Sequence, residues 1–137
     1  MITLNEVPKE YIDFAWRQGA SNLARALKNS VECTADQLKS RLFRGEIILL
    51  SINDDDIANG WFAVQFIQNE NSRCLYVHAV YAPKVFDDAF AALCQYALAN
   101  GASYIDGSCS KASARLFQKK KGFKEVYRTI RYCLLEV

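Results

Sequence analysis

The sequence predicts a mixed α/β fold of the α+β kind, in which helices cover a largely antiparallel sheet. Three observations carry this. Apolar residues at helical spacing fill most of the first 45 positions. Three strand-like runs joined by short polar turns occupy residues 47–82. A helix-spaced segment then stands between two further strand-like runs. A strand that follows a crossover helix runs parallel to the strand before that helix.

The elements follow in order. Pro8 suits a helix start, and Tyr11, Ile12, Phe14, Ala15 and Trp16 crowd the positions up to Gly19. Ser21 can cap a second turn carrying Leu23, Ala24, Ala26 and Leu27. Thr34-Ala35-Asp36-Gln37 is a capping box, with a cap hydroxyl and a glutamine three residues on. Leu38, Leu42 and Phe43 follow it, and Gly45 ends that helix. Residues 47–52 form a strand, and Asn53-Asp54-Asp55-Asp56 a turn. Residues 57–67 form the next strand, with Gly60 as a bulge position. Gln68 to Ser72 turns the chain into a third strand, Arg73 to Ala82. Short connections make these three an antiparallel meander. Pro83 closes it. Val85, Phe86, Ala89, Phe90, Leu93, Cys94, Ala97 and Leu98 mark one face of a helix ended by Asn100-Gly101. Ala102 to Cys109 is a short strand, parallel to Arg73–Ala82. Ser110 caps a last helix stopped by Gly122, and Lys124 to Val137 alternates as a closing strand.

Composition excludes several functions. A length of 137 residues, 51% of them hydrophobic and 23% charged, is that of one globular domain with a real core. Seventeen basic against fifteen acidic residues leave +2, too little for nucleic acid or membrane to be expected as partners. No apolar run approaches the ~20 residues of a membrane span. The first residues lack a basic leader and an apolar signal core, so a cytoplasmic location is expected. Cys33, Cys74, Cys94, Cys109 and Cys133 are odd in number and widely spread. With the lone His78 they make no spaced zinc site, so no metal is expected, and buried reduced thiols are. Asp54 to Asp56 lack the alternation and glycine of a calcium loop and read as a solvated turn.

The element order, together with Ala114-Arg115-Leu116-Phe117-Gln118-Lys119-Lys120-Lys121-Gly122-Phe123-Lys124, resembles the GCN5-related N-acetyltransferase (GNAT) superfamily. The resemblance covers residues 46–137 in element order, and at motif level 112–124. It implies one GNAT-like domain over 1–137, with 1–45 on the acceptor side and 46–137 on the cofactor side. It implies acetyl-CoA as cofactor and direct acyl transfer to an amine, on a small molecule or a protein. In the family two parallel strands splay and leave backbone groups to hold the pantetheine arm, and the next helix N-terminus takes the pyrophosphate. Mapped here, the splayed strands are Arg73–Ala82 and Ala102–Cys109. The cofactor positions are Ala79, Val80, Tyr81, Phe86, Ala89, Phe90, Ala91 and Lys111. Pairing through the last strands, giving a homodimer, is common in the family.

His78 is the candidate general base. It is the only histidine, on the strand beside the acyl site, and imidazole titrates near pH ~6.5. Strand alternation puts it with Tyr76 and Val80, opposite Val77, Ala79 and Tyr81. Tyr127 and Tyr132 on the last strand are further candidates to reach the site.

The sequence also departs from the family. Its pyrophosphate loop reads Gln/Arg-x-x-Gly-x-Gly/Ala. Here Phe86 replaces the polar residue, Ala89 the first glycine, and Ala91 stands at the last position. Asp87 and Asp88 lie where a diphosphate would sit, and they equally suit a helix start. Gln118 stands where the family often has a thiolate-protonating tyrosine, and Lys111 where it often has asparagine. Two readings follow. One is an N-acetyltransferase-like enzyme. The other is a GNAT-fold protein without catalysis that binds a protein partner, similar to small degenerate members encoded by bacteriophages, some of them inside the virion. A nucleic-acid function would rest only on Arg115, Lys119–Lys121 and Lys124, which carry no interleaved aromatics and complement a helix C-terminus.

Overall fold

The computed structural model of the chain describes residues 1–27, 33–108, 122–126 and 130–135. The chain divides into two compact units, Met1–Gly107 and Ser108–Val137.

The first unit is a five-stranded sheet covered on both faces. Its strands are β1 (Ile2–Glu6), β2 (Ile48–Asp54), β3 (Ile57–Gln68), β4 (Arg73–Tyr81) and β5 (Tyr104–Gly107), lying side by side in that order. All neighbours are antiparallel except β4 and β5, which are parallel, as the crossover helix between them requires. The mixed α+β class and the GNAT-like order of meander and βαβ unit are both present. β2 carries apolar side chains on both faces, which is why it reads as a continuous apolar run.

On one face Leu49, Trp61, Ala63 and Ala79 pack against helices α1 (Ile12–Gln18), α2 (Leu23–Leu27) and α3 (Ala35–Phe43). On the other face Leu50, Ile52, Phe62, Val64 and Leu75 pack against Ala89, Leu93 and Ala97 of helix α4 (Phe86–Ala99), spaced one turn apart. The helix ends follow their sequence signals. Thr34 Oγ1 accepts from the Gln37 amide at 3.2 Å and Gln37 Oε1 from the Thr34 amide at 2.8 Å, completing the capping box. Past α3 the Gly45 amide bonds Leu42 O and the Glu46 amide bonds Arg41 O. Past α4 the Gly101 amide bonds Leu98 O and the Ala102 amide bonds Ala97 O. Both ends are therefore Schellman motifs, and both need the positive φ that Gly45 and Gly101 adopt.

Four expectations are corrected. The N-terminal third is not wholly helical: Ile2–Glu6 pairs with β2 as an edge strand, Leu4 opposite Ile52. Its alternating Ile2 and Leu4 pack toward α4, and this burial outweighs the short length. Ser21 is no cap but lies inside a 3-10 turn, Ala20–Asn22, ahead of α2. β5 is shorter than Ala102–Cys109, because Ala102 is taken up by the α4 Schellman motif and Ser103 by a bond to Arg73 O. The closing strand from Lys124 to Val137 is absent among the described residues of that stretch. There Val126, Ile130, Tyr132 and Leu134 are all exposed, so no buried face sets a register. The expected helix from Ser110 to Lys121, with Lys111, Arg115, Gln118 and Lys119–Lys121, lies outside the described residues, as do Cys109 and Tyr127. In the second unit Gly122 has φ +75° and Phe123 is half-buried.

Among the described cysteines Cys33 and Cys74 are buried, Cys94 is half-buried and Cys133 is exposed, so burial holds for only part of the set. Desolvation raises the Cys74 and Cys94 thiols above their ordinary range, which favours their protonated form. Among the described residues no helix is long and apolar enough to cross a membrane.

Candidate active site at the β4–β5 fork

The site begins with a difference in strand length. The parallel ladder runs from Cys74–Tyr104 through Leu75–Ile105 and Tyr76–Asp106 to Val77–Gly107. β5 stops there, while β4 continues to Tyr81. Along the edge that faced β5, Ala79, Val80 and Tyr81 have no strand partner among the described residues. Backbone amides and carbonyls at such an edge are obligatory hydrogen-bonding groups and can pair with an extended ligand.

A bulge sits at the same place. β3 residues Ala63 and Val64 pair with Ala79 and Val77, so His78 is the extra residue on β4. A bulge re-aims side chains, and here it overturns the simple alternation expected for this strand. Val77 and Val80 both pack on the α4 side, and Ala79 and Tyr81 on the α1–α3 side. His78 lies with the second group. Its Nε2 is 2.9 Å from Oε1 of Gln65, and its ring meets Tyr76 edge-on at 4.8 Å between centroids. Arg41 of α3 reaches the same Gln65 oxygen at 3.5 Å, and its Nε donates to Glu46 at 3.2 Å. Arg44 also donates to Glu46, and chiefly through that bond the carboxyl is held below its usual range.

The other expected residues are placed as follows. Ala79 is buried, and Val80 and Tyr81 are half-buried in the two cores. The guanidinium of Arg25 on α2 lies 5.9 Å from the Tyr81 ring centre. Phe86 stacks on Phe90 at 5.9 Å in the first turns of α4. Ala89 is fully buried and serves packing, while Ala91 is exposed. Val85, the N-cap of α4, makes no side-chain cap bond. Asp87 and Asp88 are exposed in that first turn. Lys111 lies outside the described residues, and Tyr132 lies in the second unit.

Gln65 and Arg41 were not singled out by the sequence. A β-strand glutamine and a helix-end arginine carry no local signal, and that Gln65 stands opposite Tyr76, on the face of His78, is visible only in the pairing. Two hollows of about 420 and 280 Å³ lie apart from the fork, one beside Glu6, Lys9 and Leu42, the other between Tyr11, Phe14 and Trp61.

No family model and no curated protein matches the chain by sequence. Solved structures do match by fold. A possible acetyltransferase from Clostridium difficile 630 superposes with a TM-score of 0.69, covering 99% of both chains at 13% identity. A predicted acetyltransferase with acetyl-CoA from Clostridium acetobutylicum gives 0.65, covering 98% of this chain and 97% of that one at 14% identity. An aminoglycoside acetyltransferase from an uncultured soil metagenomic sample, in complex with sisomicin, gives 0.65 with the same coverage at 10% identity. The chain therefore has a GNAT-like fold, the fold of these acetyltransferases.

Proposed function

We infer that the chain is an N-acetyltransferase-like protein that holds an acyl-CoA along β4 at residues 79–81 and passes its acyl group to an amine. The observation that carries this reading is the fork itself. The last β4–β5 rung is Val77–Gly107, β4 runs on to Tyr81, and the bulge sets the lone histidine at the point of parting.

The residues fit one part of the cofactor well. An extended pantetheine arm matches the edge backbone of Ala79, Val80 and Tyr81. The diphosphate end is matched less closely. Amides at the start of α4 offer an anion site, but the carboxylates of Asp87 and Asp88 stand in the same turn. Bound acetyl-CoA would supply the activated thioester. The chain's own part is to align that arm with β4, to offer backbone N–H groups to the acyl oxygen, and to take a proton from the acceptor nitrogen at His78. A small-molecule amine is the favoured acceptor, supported by the aminoglycoside acetyltransferase among the fold neighbours.

The test is release of CoA thiol from acetyl-CoA across a panel of amines. His78→Ala should lower turnover by ~10²–10⁴-fold, the range typical of a lost general base. Turnover unaffected by His78→Ala would remove His78 from the mechanism.

A second reading has its own support. Two exposed acids at the α4 start, with a buried alanine in place of the loop glycine, suit a GNAT-fold protein that has lost cofactor and serves as a binding or structural component. A phage origin and a virion location belong to that reading.

A further inference from the structure

We propose that Gln65 and Arg41 are positioning residues that fix the tautomer of His78, holding its proton at Nε2 and its basic lone pair at Nδ1. The argument starts from the glutamine. Oε1 of Gln65 stands 2.9 Å from His78 Nε2 and 3.5 Å from a terminal nitrogen of Arg41. A guanidinium has donors only and remains charged, so it orients the amide dipole with oxygen toward itself and repels the amide NH₂. At 3.5 Å the contact is long for a hydrogen bond, and its force is that of a charge on a dipole. With the oxygen so placed, the imidazole nitrogen facing it must be the donor. In a neutral imidazole one nitrogen carries hydrogen and the other accepts, so the lone pair falls to Nδ1, an atom buried from solvent.

Arg41 is itself held. Its Nε donates to Glu46, which also accepts from Arg44. The chain Glu46–Arg41–Gln65–His78 thus runs from α3 and its exit loop through β3 to the bulge on β4. The edge-on Tyr76 ring limits rotation of the imidazole from the other side. The consequence for catalysis rests on the reading of His78 as base: its lone pair at Nδ1 is buried from solvent, so an acceptor amine reaches it only by displacing what covers that atom. The tautomer itself needs neither cofactor nor acceptor.

Because His78 is the only histidine, its ring nitrogens can be read without ambiguity in the ¹⁵N-labelled full chain. At about pH 8.5, above the ordinary imidazole range, long-range ¹H–¹⁵N correlation should show Nε2 at a pyrrole-type shift and Nδ1 at a pyridine-type shift. Gln65→Leu and, separately, Arg41→Met should move both shifts toward averaged values. A wild-type ring protonated at Nδ1, or averaged, overturns the proposal. So do variants that leave the shifts unmoved. Should Gln65→Leu fail to fold, the wild-type spectrum and Arg41→Met still decide. Lack of acetyl transfer would remove the base role and leave this result standing on its own.

Discussion

Val77 of β4 and Gly107 of β5 form the last rung of the parallel ladder among the described residues, and beyond it β4 has four more residues. This rung is the apex of the fork. A Cβ built on Gly107 would lie 3.5 Å from the Val77 carbonyl oxygen, an ordinary contact, so a small side chain is tolerated there. Gly107→Leu should weaken CoA binding tenfold or more by filling the apex, while Gly107→Ala changes it little. Titration calorimetry on both variants checks this, with thermal melting as the control for folding.

Gly60 of β3 lies against the other end of the open stretch. A Cβ there would collide with the Tyr81 carbonyl oxygen and stand 3.2 Å from Ala82 Cα, both main-chain atoms that cannot swing aside. Ile52–Gly60 and Asn53–Ala58 are the flanking pairs, so Asn59 is the extra residue of a β2–β3 bulge at this point. Gly60→Ala should cost roughly 1–3 kcal/mol, the usual range for overpacking. Urea unfolding measures it, and the midpoint should fall with little change in slope.

Asp87 and Asp88 are exposed in the first turn of α4, where acids favour the helix dipole and oppose an incoming diphosphate. Asp87→Asn with Asp88→Asn should tighten CoA binding about three- to tenfold at low salt and cost stability of a few tenths of a kcal/mol or more. The gain should shrink as salt is raised, because these are solvent-facing charges. Calorimetry at two ionic strengths gives both results.

Tyr96 of α4 donates a 2.5 Å hydrogen bond to Glu6 of β1. Burial first, and then this carboxylate, push the phenol's pKa well above its ordinary value. A group raised in the folded state keeps its full contribution below the unfolded pKa of about 10. The contribution is lost as pH climbs from there through the folded value. Stability of the wild type should therefore fall more steeply above pH ~10 than that of Tyr96→Phe. Chemical denaturation of the pair between pH 8 and 11 measures the difference.

Much of the fold was legible because burial and local chemistry agreed. Thr34 and Gln37 form the capping box as spaced, Gly45 and Gly101 end their helices, and Ala89, Leu93 and Ala97 bury the face their spacing marks. β1 was legible in principle, since Ile2 and Leu4 alternate with Thr3 and Asn5, but five residues at an edge carry little signal without a known partner. The site was harder. The strand bearing His78 was readable, as was His78's place with Tyr76 opposite Val77, but the facing of Ala79, Val80 and Tyr81 was not, because one extra residue against Ala63 and Val64 reverses the alternation beyond it. Pairing of that kind is a property of two strands together, and so is the contact to Gln65. The positions matched to the pyrophosphate loop divided: Ala89 went to the core, while Asp87 and Asp88 stayed in solvent.

The most direct test of the fork as an acyl-CoA site is titration of acetyl-CoA into the ¹⁵N-labelled protein, read by calorimetry and by amide shifts together. The account predicts a dissociation constant of tens of micromolar or tighter, about −6 kcal/mol, with the largest shifts at residues 78–81 and the start of α4. Neither heat nor shifts at millimolar acetyl-CoA would contradict it and leave the GNAT-like fold with a binding role alone.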